Sequence, residues 1–130
     1  ENLMAIITST FGTSSISKLV RDVDSDTTPE TNINGGAGVI QQIFIDNTAN
    51  SGDPFYLHLW NQTGAPTFGT TKPTMVLYCP ANKSKHYIFA ADLNFATGIC
   101  IAGSKNIAGV ATFTPAAPTS NVAIAIWLSS

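Results

Sequence analysis

The chain alternates short runs of apolar and polar residues with turn residues between the runs. The clearest run is FYLHLW, residues 55–60. By the two-residue period of a strand, Phe55, Leu57 and Leu59 share one face. The intervening residues Tyr56, His58 and Trp60 share the other. We therefore predict a strand whose first face enters the core, and whose second face is amphipathic and available to a neighbouring chain.

The C-terminal run NVAIAIWLSS is apolar on both faces of a predicted strand. One face carries Val122, Ile124, Ile126 and Leu128, and the opposite face carries Ala123, Ala125 and Trp127. A strand that is apolar on both sides is typical of a position covered on both faces. We expect this strand to lie in the centre of a sheet or beneath a subunit contact.

Similar runs recur along the chain, rich in β-branched and aromatic residues and without a sustained helical period. The predicted strands are 4–9, 38–46, 55–61, 74–79, 85–90, 97–102 and 121–129, with a short one at 16–20. Strands of this number and length, separated by loops rich in Pro, Gly and Asn, predict an all-β fold. The expected architecture is an antiparallel β-sandwich of jelly-roll or Greek-key type.

Residues 9–38 differ from the rest, because Ser, Thr, Asp, Asn and Gly outnumber large apolar side chains there. Such composition favours an extended arm over a packed element. The predicted organisation is therefore an N-terminal arm and long polar loop over residues 1–38, followed by a β-sandwich domain over residues 39–130. A chain of 130 residues has the size of one domain.

Charge is scarce throughout the chain. Charged residues make up 11% of the sequence and the net charge is −2, so no basic stripe is available for nucleic acid. No run reaches the roughly 18 apolar residues of a membrane span, and we predict neither a nucleic-acid nor a membrane partner. Weak like-charge repulsion instead favours packing against copies of the same chain or against a scaffold.

An acidic stretch, DVDSDTTPE at residues 22–30, is the strongest candidate for a metal site. It alternates three carboxylates, Asp22, Asp24 and Asp26. An EF-hand loop needs Gly at its sixth place and Glu at its twelfth, whereas these places hold Thr27 and Ile33. A looser calcium site that adds Glu30 is the alternative to a solvated acidic turn, and loop composition favours the turn. We predict no metal.

The other reactive side chains also lack partners at a meaningful spacing. Cys79 and Cys100 lie in apolar runs and are expected to be buried free thiols. His58 and His86 each lack the further ligands that zinc requires.

Catalytic pairs are not indicated by spacing either. A nucleophilic pair of Cys79 with His86 across a hairpin is no more than chance would supply. Sequence does not give the separation of Asp46 and Asp92, on which a glycosidase-type pair depends. We predict no catalytic residue, no cofactor and no enzymatic activity.

Aromatic side chains are the best candidates for contacts. A stacking face for sugars would use Tyr56, Trp60, Tyr78 and Trp127, but aromatic residues are also enriched in cores and at subunit interfaces. The predicted interface residues are Tyr56, His58, Trp60 and Trp127. The loop 63–73 is expected to be a rigid connection available to a neighbour, and its predicted contact residues are Pro66, Phe68 and Pro73.

Residues 56–105 carry motifs in a recognisable order. An Ala-Pro-Thr-x-Gly-Thr-x-x-Pro loop begins at Ala65, a strand ends at Pro80 and Ala81, and a Phe-x-Thr-Gly-Ile strand begins at Phe95. This order resembles a segment of small tailed-phage virion proteins. The resemblance implies a non-enzymatic β-sandwich located in the virion, first of all a capsid decoration or cement protein. It also implies contact with the major capsid protein or other virion proteins, and a homo-oligomer, with a trimer favoured. A neck, tail, baseplate or fibre protein is the near alternative. A carbohydrate-binding module that uses the aromatic residues as a stacking face is the second hypothesis.

Overall fold

The computed structural model describes residues 6–10, 18–107 and 112–129. These residues form eight strands: β1 (Ile6–Thr10), β2 (Lys18–Ser25), β3 (Gly38–Asp46), β4 (Phe55–Trp60), β5 (Met75–Cys79), β6 (Ser84–Phe95), β7 (Cys100–Ser104) and β8 (Val122–Ser129). In the described part of the chain no helix is long and apolar enough to cross a membrane. The predicted all-β fold is confirmed.

The strands form two antiparallel sheets, as a β-sandwich requires. One sheet has five strands in the order β1-β2-β8-β3-β6, and the other has three in the order β5-β4-β7. Strand β8 lies between β2 and β3, which confirms the central position that its two apolar faces predicted. The long edge strand β6 extends the predicted 85–90 run at both ends.

A single apolar core fills the space between the sheets. Strand β4 contributes Phe55, Leu57 and Leu59, as predicted. Strand β8 contributes its predicted inner set, Val122, Ile124, Ile126 and Leu128. Both sets contact one cluster because alternate residues of each strand point inward. The two-residue alternation of apolar residues therefore predicted correctly which side chains of β4 and β8 point into the core.

Strand pairing is nested along the chain. The pairs β2 with β8, β3 with β6, and β4 with β5 lie inside one another in sequence. Residues 26–33 supply a fourth pair by lying against β7. Glu30 N donates to Ile101 O at 2.8 Å and Ile101 N donates to Glu30 O at 3.0 Å, while Ile33 N donates to Ile99 O at 2.9 Å. These residues extend the three-stranded sheet beyond β7.

The N-terminal region differs from the predicted arm. Residues 18–25 form β2, paired between β1 and β8, and Val20 and Ile33 belong to the core. A boundary at residue 38 therefore separates no arm from the sandwich in the part described; residues 1–5 and 11–17 lie outside it. The predicted short strand at 16–20 covers only the start of β2, because the inward position after Val20 is a carboxylic acid, Asp22, and residues 21–25 are mostly polar.

Two buried asparagines fix the loops at one end of the sandwich. Asn47 Nδ2 donates to Asp53 O at 2.9 Å and to Pro80 O at 3.1 Å. Asn50 Nδ2 donates to Asn47 Oδ1 at 2.8 Å and to Ser120 O at 2.9 Å. Buried amides with all these partners specify one loop arrangement. They hold the end of the segment 112–120 before it enters β8.

Candidate functional site: two outer sheet faces

The outer face of the three-stranded sheet lies beneath the protein's own loops. We call it the covered face; its outward side chains include His58, Trp60, Cys100 and Ala102. Phe68, from the loop after β4, has its ring centroid 4.8 Å from that of His58 and 5.2 Å from that of Trp60. Phe113, from the segment before β8, lies 5.6 Å from His58. The four rings form one cluster that closes this face.

Hydrogen bonds hold the covering loops in place. Trp60 Nε1 donates to Thr71 O at 3.0 Å, and Phe113 N donates to Gly69 O at 3.1 Å. Gly69 has a φ of 101°, and a Cβ on it would lie 2.5 Å from Phe113 O. Only glycine fits this conformation and this close approach. The two loops are therefore joined to each other as well as to the sheet.

Several predicted contact residues are used inside the protein. His58 and Trp60, predicted to meet a neighbouring chain, are 0% and 1% exposed, because loops of the same chain cover them. Pro66 is buried, and Phe68 is half-buried against the covered face. The sequence period identified the outward face correctly, but it did not reveal that two loops of the same chain occupy it. Pro73 is half-buried.

His58 is a neutral ring within this cluster. Because Tyr56 O can only accept, the 3.0 Å contact to His58 Nδ1 places a proton on Nδ1. Burial lowers the pKa of His58 to about 4, although the bond to Tyr56 acts in the opposite direction. A charged imidazolium would be poorly solvated among these rings. His58 is therefore a buried, pH-sensitive group and is not an accessible acid or base.

The outer face of the five-stranded sheet has no such cover in the described structure. We call it the open face. Its cross-strand rows are Ile7, Arg21, Ala125, Phe44 and His86, and then Ser9, Leu19, Trp127, Gln42 and Ile88. Ile7, Val23 and Ile88 are 43%, 47% and 69% exposed. Three of the five large apolar side chains identified as exposed thus lie on this one face.

An aromatic group lies near the middle of the open face. The ring of His86 contacts the rings of Phe44 and Trp127, with centroids 5.9 Å and 5.7 Å apart. A 2.8 Å hydrogen bond joins His86 Nε2 to Gln42 Oε1. Trp127, a predicted interface residue, is half-buried here, and it lies on the surface that a partner could reach.

The open face carries little charge. Among its described outward positions the formal charges are Arg21 on β2 and Asp46 at the end of β3. Asp46 Oδ1 accepts from Thr48 N at 3.0 Å and from Thr48 Oγ1 at 2.6 Å, which fixes the carboxylate beside the turn. A face of this kind suits packing against another protein surface more than the binding of an ion or a polyanion.

An acidic cluster occupies the edge between the sheets. Ligand oxygens of Asp22, Asp24 and Glu30 all lie within 4.8 Å of one another. Asp26 instead accepts a hydrogen bond from Thr28 N at 2.9 Å. The sequence thus identified the acidic stretch, but the fold groups Glu30, from the segment beside β7, with the two carboxylates of β2.

Burial decides the electrostatics of this cluster. Asp22 is 2% exposed. Desolvation raises its pKa to about 7, against the effect of the Asp24 backbone N–H, which donates to Asp22 Oδ1 at 3.2 Å. Burial also raises the pKa of Glu30, with added repulsion from Asp24 and Asp26. Near neutral pH the buried Asp22 carboxyl therefore holds its proton in a large fraction of the molecules.

Both thiols are free and buried, as predicted. Cys79 belongs to the core between the sheets, and its Sγ donates to Lys83 O at 3.3 Å. Cys100 lies on the covered face, where its Sγ donates to Gln62 O at 3.0 Å. The two thiols lie on opposite faces of the same sheet. Burial raises the pKa of each, which keeps both protonated and unreactive.

The pairs considered for catalysis are not assembled in the described residues. Cys79 points into the core, whereas His86 lies on the open face with Phe44 and Gln42. Asp46 is engaged by Thr48, and the side chain of Asp92 lies outside the described part.

The four aromatic residues considered as a sugar platform do not share a surface. Trp60 is buried, and Trp127 lies on the open face. Tyr56 and Tyr78 form a tilted pair with centroids 5.2 Å apart on the three-stranded sheet. A platform built from all four would need both sides of the sandwich.

Comparison of the chain with protein-family models, curated proteins and solved structures gave no match.

Proposed function

We propose that this protein is a non-enzymatic structural component of a virion, a decoration protein that binds the capsid shell and stabilises it by bridging subunits. The observation that carries the proposal is the open face, a broad and nearly uncharged sheet surface with Ile7, Val23 and Ile88 exposed. A sheet surface with exposed apolar side chains and little charge is typical of a contact surface. The mechanism is burial of this face against protein neighbours, repeated over many copies.

The strand order supports the jelly-roll form of the sandwich. A jelly roll arises when a long antiparallel hairpin folds over, so that its strand pairs are nested. The four pairs here are β2 with β8, residues 26–33 with β7, β3 with β6, and β4 with β5. Viral capsid proteins and lectins both use this architecture, so it agrees with a virion role without excluding a binding module.

The placement of the titratable groups also supports a contact function. A hydrolase needs a cleft in which a perturbed acid or base faces substrate. The two groups with the largest pKa changes are His58, enclosed by aromatic rings, and Asp22, packed at the sheet edge. Neither lies on the open face, where binding is proposed.

The experiment is quantitative mass spectrometry of purified particles. We expect a copy number, relative to the major capsid protein, near one or a simple fraction of one, as closed capsid symmetry requires. A ratio far below this would assign the protein to the neck, tail or fibre instead. Its absence from particles would contradict the virion role altogether.

A further inference from the structure

We propose that the first occupant of the open face is a second copy of this chain, packed face to face about a two-fold axis that runs along β8. The inference rests on the proposed function in that both assign the open face to contacts between protein copies; within the dimer this face is buried, so contact with the shell falls to other surfaces of the dimer. It does not depend on where the resulting dimer docks.

The first argument is the register of the sheet. Strand β8 is central, with β1 and β2 on one side and β3 and β6 on the other. A two-fold axis along β8 exchanges these two flanks in the partner. Trp127, which lies on β8, then packs near Trp127 of the second copy. The β2 side of one sheet packs over the β3 side of the other. Sheets packed in this way lie about 10 Å apart, with interleaved side chains.

The second argument is charge complementarity. Arg21 lies on β2, and in its cross-strand row Phe44 is the β3 residue. Asp46 lies two residues farther along β3, about 7 Å away. Exchange of the flanks therefore places the exposed Arg21 of one copy beside Phe44 and Asp46 of the other, twice in the dimer. The cation can contact both the ring and the carboxylate.

The third argument is the match of exposed apolar groups. Ile7 and Ile88 lie near opposite edges of the sheet, on β1 and β6, and in neighbouring rows. The same axis brings the β1 edge of one copy over the β6 edge of the other, which places Ile7 opposite the row position of His86, and Ile88 opposite that of Ser9 in the row next to Ile7. An isologous interface needs this self-complementarity. A trimer would instead pair the open face with a different surface of the neighbour.

The first test measures mass by sedimentation and light scattering at rising protein concentration. We expect wild-type protein to approach twice the monomer mass of 13.7 kDa. Ile88→Glu, at a position 69% exposed, should remain a monomer. Ile107→Glu is the matched control, because Ile107 is 51% exposed but follows β7 on the other side of the sandwich. It should still form the dimer. Far-UV circular dichroism checks that all three proteins are folded.

The second test reverses the charges. Arg21→Glu alone would face Asp46 of the partner with a like charge, and Asp46→Lys alone would face Arg21 of the partner. Each should weaken the dimer at least tenfold. The double variant should recover the affinity. Mixing the two single variants should also give a heterodimer, because every contact is then between opposite charges.

Acrylamide quenching gives an independent readout. The chain has two tryptophans, and Trp60 is buried in the monomer. The quenchable emission therefore reports Trp127 and should fall as the dimer forms.

Three outcomes would overturn the inference. They are a folded wild-type monomer at every concentration tested, a trimer mass, or a dimer that Ile88→Glu and Ile107→Glu affect equally. None of them depends on the copy number in particles, which tests the virion role separately. Conversely, a confirmed dimer that is absent from particles would retain this inference and reject the proposed function.

Discussion

The two outer faces of the sandwich carry similar residues but have different environments. Each has a tryptophan, a histidine and a phenylalanine in one group. His58, Trp60 and Phe68 are in mutual contact on the covered face, whereas on the open face the ring of His86 contacts those of Phe44 and Trp127. On the covered face two loops of the same chain complete the burial. On the open face nothing in the described residues does. An aromatic cluster alone therefore does not identify a binding surface. The distinguishing feature is whether other parts of the same chain cover the cluster.

The tryptophans give the largest expected difference between the faces. Trp60→Ala should lower the free energy of unfolding by about 3–5 kcal/mol, because it leaves a cavity in a closed cluster and frees the Thr71 carbonyl. Trp127→Ala should cost about 1 kcal/mol or less in the monomer, because Trp127 remains partly solvated. Urea denaturation at low protein concentration, where association contributes nothing, measures both values. Equal losses would contradict the distinction between the faces.

The covering loops can be disturbed without touching an aromatic ring. Gly69→Ala should lower stability by about 2–4 kcal/mol, because the backbone has positive φ and the new Cβ would meet Phe113 O. Gly64→Ala is the control in the same loop, since a Cβ there meets nothing within 4 Å. Trp60 fluorescence should shift to the red in the first variant and stay unchanged in the second. An unshifted Gly69→Ala would mean that the loop contributes little to covering the sheet.

The sequence predicted the strands that alternate cleanly. The inner residues of β4 and β8 and the bounds of β3 agree with the structure. It predicted only the first residues of β2, within the short strand at 16–20, because an inward carboxyl, Asp22, breaks the apolar period that identifies a strand. The sequence also predicted that His58 and Trp60 contact a neighbouring chain. The alternation of residues shows which face a side chain lies on, but it does not show which part of the protein packs over that face. Phe68 and Phe113 could have indicated this cover, because each is a large apolar ring in a polar loop and such rings are usually buried.

Asp22, at the edge of the sandwich, is expected to make the free energy of unfolding depend on pH. Its pKa in the folded state, about 7, lies above the ordinary value of 3.8. The folded protein therefore holds a proton that the unfolded chain releases. This contribution is complete below about pH 4 and is lost as pH rises through 7, a decrease of about 4 kcal/mol.

The test of this contribution is denaturation between pH 4 and pH 8. Asp22→Asn should flatten the decrease and stabilise the protein at pH 8, because the amide can still accept from Asp24 N. Asp26→Asn keeps Asp22 and should keep most of the slope. A wild-type protein whose stability rose steadily over this range, with Asp22→Asn showing the same rise, would contradict the buried carboxyl.

His58 gives a smaller effect of opposite sign, and it reports on the covered face alone. Its pKa in the folded state, about 4, lies below the ordinary 6.5, so between these values the unfolded chain binds a proton that the folded protein does not. The contribution is complete above pH 6.5 and is lost as pH falls towards 4, by about 1–2 kcal/mol between pH 7 and pH 5. His58→Phe should remove this loss. His86→Phe, on the open face, keeps His58 and should keep the loss. If both variants changed the acid limb of the stability curve equally, the covered face would be as accessible to protons as the open one.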